Sequence, residues 1–250
     1  MTAPTVAMLA ARLEARLRED ARPDRAEQER AYLKSNLEFL GCTVWQIRTA
    51  VKEMLSGPAG ELDHDRLVAL ADVLWREPMF ERRMAAVVLL DRRSGLLSPA
   101  DLPLIERFIR ESLTWALVDG LAGDVVGAVL AAHAEAVGPT LARWSRDDDF
   151  WVRRSALLAW LRPLRLGAPL DPFLATADAL LDEREFFIRK AIGWVLREVG
   201  KRRPAEVAAW LAPRTKRVSG VTIREAVKYL PATDATKLMT AYRERRAAAR

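Results

Sequence analysis

The sequence predicts an all-α protein, a helical-repeat solenoid of stacked antiparallel helix pairs. Three observations predict it. Apolar residues recur at steps of three and four, no stretch alternates as a strand does, and one sequence pattern returns with a period in the middle thirties. That period belongs to paired-helix repeats, in which each unit buries its apolar stripe only by stacking on its neighbours.

Taken in order, Met1 to Arg22 is amphipathic, and Arg12, Glu14, Arg16, Arg18 and Glu19 interrupt its apolar positions. It reads as neither a signal peptide nor a membrane span, and no run of eighteen apolar residues occurs anywhere. Pro and Gly then punctuate the helix pairs at Gly57-Pro58, Ser98-Pro99, Gly138-Pro139, Gly167-Ala168-Pro169, Pro204, Pro213 and Pro231. No internal linker is long or polar enough to divide the chain, so residues 1–250 read as a single repeat domain. The basic, Ala-rich tail from Tyr242 to Arg250 reads as a fraying helix end.

The clearest helix is Glu185 to Glu198. Ile188, Ala191, Ile192, Val195 and Val199 make its core-facing stripe, while Phe186, Lys190, Gly193, Trp194, Arg197 and Lys201 face away. Cations beside aromatics suit a phosphate backbone. A mid-helix glycine costs about 1 kcal/mol against Ala unless something approaches the backbone closely. Copies of this pattern begin at Met79-Phe80-Glu81-Arg82-Arg83, Phe150-Trp151-Val152-Arg153-Arg154 and Phe186-Phe187-Ile188-Arg189-Lys190, with a weaker one at Val221 to Val227. Their lead arginines, Arg82, Arg153, Arg189 and Arg224, are 71, 36 and 35 residues apart, so a further copy belongs near residue 118. Ser112 to Asp119 supplies it in altered form.

In that alignment the second basic position reads Arg83, Asp119, Arg154, Lys190 and Glu225. One helical turn earlier stand Met79, Trp115, Phe150, Phe186 and Val221. Trp-x-x-x-Asp alone is mostly a packed Trp beside a solvated Asp. Here its register sets Asp119 among cations, on a face expected to carry Arg83, Asp119, Arg154, Lys190 and Arg197 toward a polyanion.

A net charge of +6 and a pI near 9.8 also favour an anionic partner. The single cysteine, Cys42, excludes a disulfide framework and suits the cytoplasm. His64 and His133 are the only histidines and lack the spacing of a metal pair. No nucleotide-binding, metalloprotease or serine-hydrolase signature occurs. Any enzyme here is expected to work without metal, cofactor or histidine.

The run Phe186-Phe187-Ile188-Arg189-Lys190-Ala191-Ile192-Gly193-Trp194-Val195-Leu196-Arg197 resembles the signature of the AlkD-type DNA alkylation repair glycosylases. Ala31-Tyr32-Leu33-Lys34-Ser35-Asn36 through Gly41, Trp115 with Asp119, and Phe150 to Arg154 resemble further parts of that family, in order along nearly the whole chain. The resemblance implies a fold of HEAT-like repeats and a monofunctional enzyme that excises N3- and N7-alkylated purines from duplex DNA. It makes Asp119 the catalytic carboxylate, with Trp115 and Trp194 packed on the deoxyribose of the lesion. It implies DNA-backbone roles for Arg154 and Arg197 and a lesion-side contact from Tyr32; the repeat register and charge add Arg153, Arg189, Lys190, Phe186, Lys34 and Arg83 as expected DNA-binding residues. It also implies a lesion that stays stacked during excision. The chain is expected to act as a monomer, in the cytoplasm at the nucleoid, with no membrane or nucleotide partner. Thr114 and Ala116 depart from the family's Trp and Asp at those positions, which leaves the cleft less aromatic and less acidic.

The chemistry fits these residue types. An N3- or N7-alkylpurine is already cationic, so its departure needs no acid, and the barrier lies in forming an oxocarbenium-like sugar. A carboxylate near C1′ stabilises that charge and orients water. Two alternatives stay open: a catalytically weak or silent relative that binds branched or damaged DNA, and a helical scaffold that binds protein.

Overall fold

The computed structural model describes residues 4–57 and 62–248, the last four of these by backbone alone. Pro58 of the first expected break, and the last two residues of the expected tail, lie outside the described residues. The described residues form helices and contain no strand. A lone bridge joins Glu38 to Met79, where Glu38 N–H donates to the Pro78 carbonyl and Phe80 N–H to that of Glu38, both at 2.8 Å. The chain gathers into two compact units, Met1–Val129 and Leu130–Arg250.

The first unit contains α1 (Val6–Glu19), α2 (Pro23–Leu33), α3 (Val44–Ser56), α4 (His64–Arg76), α5 (Phe80–Arg92), α6 (Leu102–Arg110) and α7 (Trp115–Gly120). Helix α7 runs on through a π-helical stretch, Leu121–Val126, into α8 (Gly127–Ala132), which crosses the division between the units. The second unit contains α9 (Ala134–Trp144), α10 (Phe150–Leu158), α11 (Leu161–Arg165), α12 (Asp171–Ala179), α13 (Phe186–Gly200), α14 (Pro204–Leu211), α15 (Gly220–Ala226) and α16 (Ala232–Ala248).

Local sequence explains where these helices start. Thr43 and Gln46 close a capping box on α3, Asp63 accepts from Arg66 N–H at α4, and Ser219 accepts from Thr222 N–H at α15. Pro23 and Pro204 open α2 and α14, where a missing N–H costs nothing. The expected repeat is visible in the starts themselves. Helices α5, α7, α10, α13 and α15 begin at Phe80, Trp115, Phe150, Phe186 and Gly220, intervals of 35, 35, 36 and 34 residues.

Side chains join one repeat to the next at the same period. In the first unit Arg107 pairs with Asp72, and His64 Nε2 lies 2.8 Å from Asp101 Oδ1. In the second, Lys190 pairs with Glu225 at 2.8 Å, while Arg214 with Asp178 and Arg217 with Asp182 pair at 2.6 Å. These partners stand 35 to 37 residues apart. The more exposed of these pairs, such as Arg217 with Asp182, contribute at most about 1 kcal/mol each, so they set register on a stack held by apolar burial.

Helix α5 is central to the first unit, packed on α3, α4 and α7, and every residue from Phe80 to Leu90 is buried. That burial includes three charges. Glu81, with no exposed surface, accepts from the N–H groups of Leu40, Gly41 and Cys42 at 2.9, 2.8 and 3.1 Å. It thereby fixes the loop between α2 and α3. Gly41 has φ +84°, and a Cβ there would stand 2.2 Å from the Arg22 carbonyl oxygen, so only glycine fits the turn. Burial, then the Glu81 charge, pushes the Cys42 thiol up to about 12, which leaves it inert at neutral pH.

Helix α13 holds the corresponding place in the second unit, against α10, α11, α14 and α15. Its expected stripe, Ile188, Ala191, Ile192, Val195 and Val199, is buried. Gly193 is buried too. A Cβ on it would lie 2.7 Å from Glu225 Cβ and 2.8 Å from the Thr222 carbonyl oxygen, so the glycine exists because α15 lies against the backbone of α13.

Replacing Glu81 with Ala strands three buried N–H donors at about 1–3 kcal/mol each before relaxation. Glu81→Ala is therefore expected to lose about 3 kcal/mol or more in denaturant unfolding. A loss under 1 kcal/mol would contradict this role.

Candidate nucleic-acid interface

Helix α7 begins from a constrained turn. Thr114, buried, caps it by accepting from Ala116 N–H at 3.4 Å, and Leu113 before it sits in the left-handed region at φ +55° with its side chain half exposed. A non-glycine residue there is uncommon and marks local strain. The turn delivers Trp115 as the first helical residue. Tyr32, 73 % exposed on the last turn of α2, meets the Trp115 ring edge-on at 5.9 Å between centroids and 84° between planes. Lys34, exposed, ends α2 in the left-handed region at φ +49°.

Asp119 follows one turn after Trp115 on the same helix and is partly exposed. Immediately beyond it, Gly120 lies so close to α5 that a Cβ would stand 2.8 Å from Val87 Cγ1, and the π-helical turn begins. π-turns inside α-helices recur at functional sites. The 18-residue stretch Trp115–Ala132 is long and apolar enough to cross a membrane, yet 61 % of it is buried inside the protein, as in a core helix.

Several arginines expected at phosphate serve the protein instead. Arg83 is buried and donates to the carbonyls of Trp75 at 3.1 Å, Glu77 at 3.3 Å and Glu111, with its guanidinium 5.1 Å from the Trp75 ring centroid. Burial lowers its pKa. Only 7 % of it is exposed, and its donors are engaged with these carbonyls rather than turned toward the surface where a DNA contact was expected. Arg153 donates to the Asp147 and Asp148 carbonyls and pairs with Glu183 at 3.1 Å. Arg189 Nε donates to the Glu183 carbonyl at 2.7 Å. Arg153 and Arg189 each reach six residues back in the chain, so the conspicuous arginine of the repeat clamps the loop before its own helix. Arg154, 3 % exposed, donates to the Phe187 carbonyl at 2.5 Å and lies 5.6 Å from the Phe187 ring centroid. The guanidinium expected at phosphate thus ties α10 to the start of α13.

The other cations of the second unit do reach solvent. On α13 Lys190 and Arg197 flank Trp194, itself partly exposed, and Phe186 at the start of the helix is 53 % exposed. Lys190 Nζ donates to Glu225 Oε1 at 2.8 Å, and Arg197 donates to Oε2 at 2.5 Å. Lys228, which sequence reasoning did not single out, brings a third cation to Oε1 at 2.7 Å. Burial alone would raise the Glu225 pKa. The hydrogen bonds from Lys190 and Lys228 and the charges of Lys190 and Arg197 outweigh it, and the carboxyl sits at about 2. Asp119 is therefore not the sole carboxylate at its repeat position. The aligned column already held Glu225, and its place 35 residues after Lys190 was the signal for their pairing.

Tyr32, Trp115 and Asp119 thus belong to the first unit, and Trp194, Lys190, Arg197 and Phe186 to the second. Among the described residues no three His, Cys, Asp or Glu side chains gather as a metal site.

These are features of a helical-repeat protein with a carboxylate and aromatics on one unit and solvent-facing cations on the other. The family model described as "DNA alkylation repair enzyme" matches residues 13–230, and the chain belongs to that family. A predicted DNA alkylation repair enzyme from Enterococcus faecalis shares its fold, with a TM-score of 0.76 at 24 % identity over 85 % of this chain and 98 % of that one. AlkD2 from Streptococcus mutans gives 0.59 at 18 % identity, over 83 % of this chain and all of the other. The smu.31 protein of Streptococcus mutans UA159 gives 0.57 at 17 % identity, over 75 % and 98 %. No curated protein matches in sequence.

The depressed Glu225 pKa has a pH consequence. A carboxyl group whose folded pKa lies below its ordinary 4.5 stabilises the fold above that value and loses its contribution as pH falls toward about 2. Glu225→Gln is expected to melt below wild type near neutrality, and the gap is expected to narrow between pH 5 and 3. A gap constant over that range would contradict the assigned ionisation.

Proposed function

We propose that the protein is a monofunctional DNA glycosylase that excises cationic N3- and N7-alkylated purines from duplex DNA. The observation that carries this reading is Asp119, a partly exposed carboxylate one turn after a Trp115 that is itself braced by exposed Tyr32. It stands in a protein of net charge +6 whose family is that of DNA alkylation repair enzymes. The alkylated base leaves as a neutral purine, so the protein supplies no proton to it. The Asp119 carboxylate stabilises the positive charge that develops on the sugar and orients the attacking water. The face of Trp115 contacts the sugar through cation–π attraction as that charge grows. Lys190 and Arg197 bind backbone phosphate, and Arg153, Arg154 and Arg189 hold the loops and helices from which those contacts are made.

A second reading, a binder of damaged or branched DNA that excises nothing, draws on Thr114. This residue caps α7 and is buried, and Ala116 beside it is small, so two positions of the turn bring neither aromatic surface nor charge to DNA.

Asp119→Asn separates the two. On the glycosylase reading, single-turnover release of 7-methylguanine is expected to fall by about 10²–10³, as for loss of another preorganised electrostatic group. Duplex affinity is expected to hold or tighten, because a repulsion with phosphate disappears. Trp115→Ala and Trp194→Ala are expected to slow release less. Wild-type release by the Asn variant would remove Asp119 from the mechanism.

A further inference from the structure

We propose that Glu225 is a positioning residue for DNA binding, a carboxylate that holds Lys190, Arg197 and Lys228 together as one phosphate-binding cluster. The inference rests on the DNA-binding reading above and adds Glu225 and Lys228 to it. The geometry has three parts. The Glu225 side chain is 9 % exposed, whereas those of Lys190, Arg197 and Lys228 are 39, 24 and 49 % exposed, so the anion lies beneath and the cations reach solvent. Lys190 and Lys228 share a single oxygen, Oε1, at 2.8 and 2.7 Å. Their ammonium groups can therefore be no farther apart than those two bonds laid end to end. Third, Gly193 lets α15 approach the α13 backbone closely enough for Glu225 to sit under side chains of both helices.

Charge and donor accounting then point to phosphate. Lys190, Lys228 and Arg197 share the Glu225 carboxylate, and Arg197 also lies 3.6 Å from Glu198, a second carboxylate that pairs with Lys201 and Arg165 as well, so cations outnumber anions and the cluster keeps a net positive charge. Each lysine ammonium has three donors and uses one on Glu225, and the Arg197 guanidinium has five. Donors not used on Glu225 remain on partly exposed side chains and suit the unesterified oxygens of a backbone phosphodiester. Without the carboxylate, mutual repulsion would splay the two ammonium groups, and ordering them again would fall to the DNA at binding. Lys190, Lys228 and Glu225 come from different helical segments, and no short sequence motif contains them.

The test rests on the sign of one effect. Glu225→Gln removes a negative charge from a DNA-binding surface, so electrostatics without positioning predicts tighter binding. Positioning predicts the opposite. Fluorescence anisotropy with an undamaged duplex, across a salt series and below the melting temperature of each variant, is expected to show about tenfold weaker binding for Glu225→Gln. The slope of log affinity against log salt is expected to flatten by about one phosphate equivalent. Lys228→Ala, at a half-exposed site and assayed below its own melting temperature, is expected to flatten the slope by a similar amount. Equal or tighter binding by Glu225→Gln with the wild-type slope, or a Lys228→Ala slope identical to wild type, would overturn the proposal while leaving DNA binding intact. Wild-type affinity that ignores salt would overturn the DNA reading itself and this inference with it.

Discussion

Stacking at a fixed period is the constraint on which the rest of this structure depends. A helix pair cannot bury its apolar stripe alone, so each copy must present the same surfaces to the next. Helices α5, α7, α10, α13 and α15 accordingly begin every 34 to 36 residues. Pairs such as Arg107 with Asp72 and Lys190 with Glu225 mark the same step in side-chain terms. Because the stack fixes where a helix starts, it also fixes which residue stands one turn in. That is why a single exchange of cation for carboxylate can place Asp119 beside Trp115 without any new element of structure.

The stack also explains the unequal use of arginine. In a repeat whose helix starts are buried against neighbours, the carbonyls of the preceding loop need donors, because buried and unsatisfied carbonyls are costly. Arg153 and Arg189 supply them six residues back, and Arg83 donates to Glu77 in the loop before α5, to Trp75 at the end of α4 and to Glu111 after α6. Glu81 does the converse for three N–H groups of the loop that follows Tyr32. Basic residues of the repeat helices are thus divided between those that hold loops and those, Lys190, Arg197 and Lys228 among them, that remain partly open to solvent.

This division sets what the sequence could reveal. The all-helical repeat was legible because apolar spacing and period follow directly from burial, and the stripe of α13 was read residue by residue. The family was legible from the run Phe186 to Arg197 and from Trp115 with Asp119. Which arginines face solvent was not legible. A guanidinium that clamps a carbonyl and one that meets phosphate occupy the same helical position and differ only in how close a neighbouring loop comes. Gly193 read as part of the face turned away from the core, where a glycine makes sense only if something comes close to the backbone; it is buried, and the approaching body is α15. Glu225 was visible as a break in the basic column, yet its three cations come together only in the folded chain. Thr114 read as a loss of aromatic surface, and its gain, a buried cap for α7, is a backbone property that composition does not display.

The central claim is that this carboxylate-bearing member of the DNA alkylation repair family breaks the glycosidic bond of a cationic purine. Incubating the wild-type protein with a duplex containing N7-methylguanine, and assaying the released small molecules by chromatography, tests it most directly. The account predicts free 7-methylguanine, accumulating in proportion to enzyme under single-turnover conditions, with the DNA backbone left uncut and an undamaged guanine duplex left intact. Tight, salt-dependent binding of the same duplex with no free base above the spontaneous rate would contradict it.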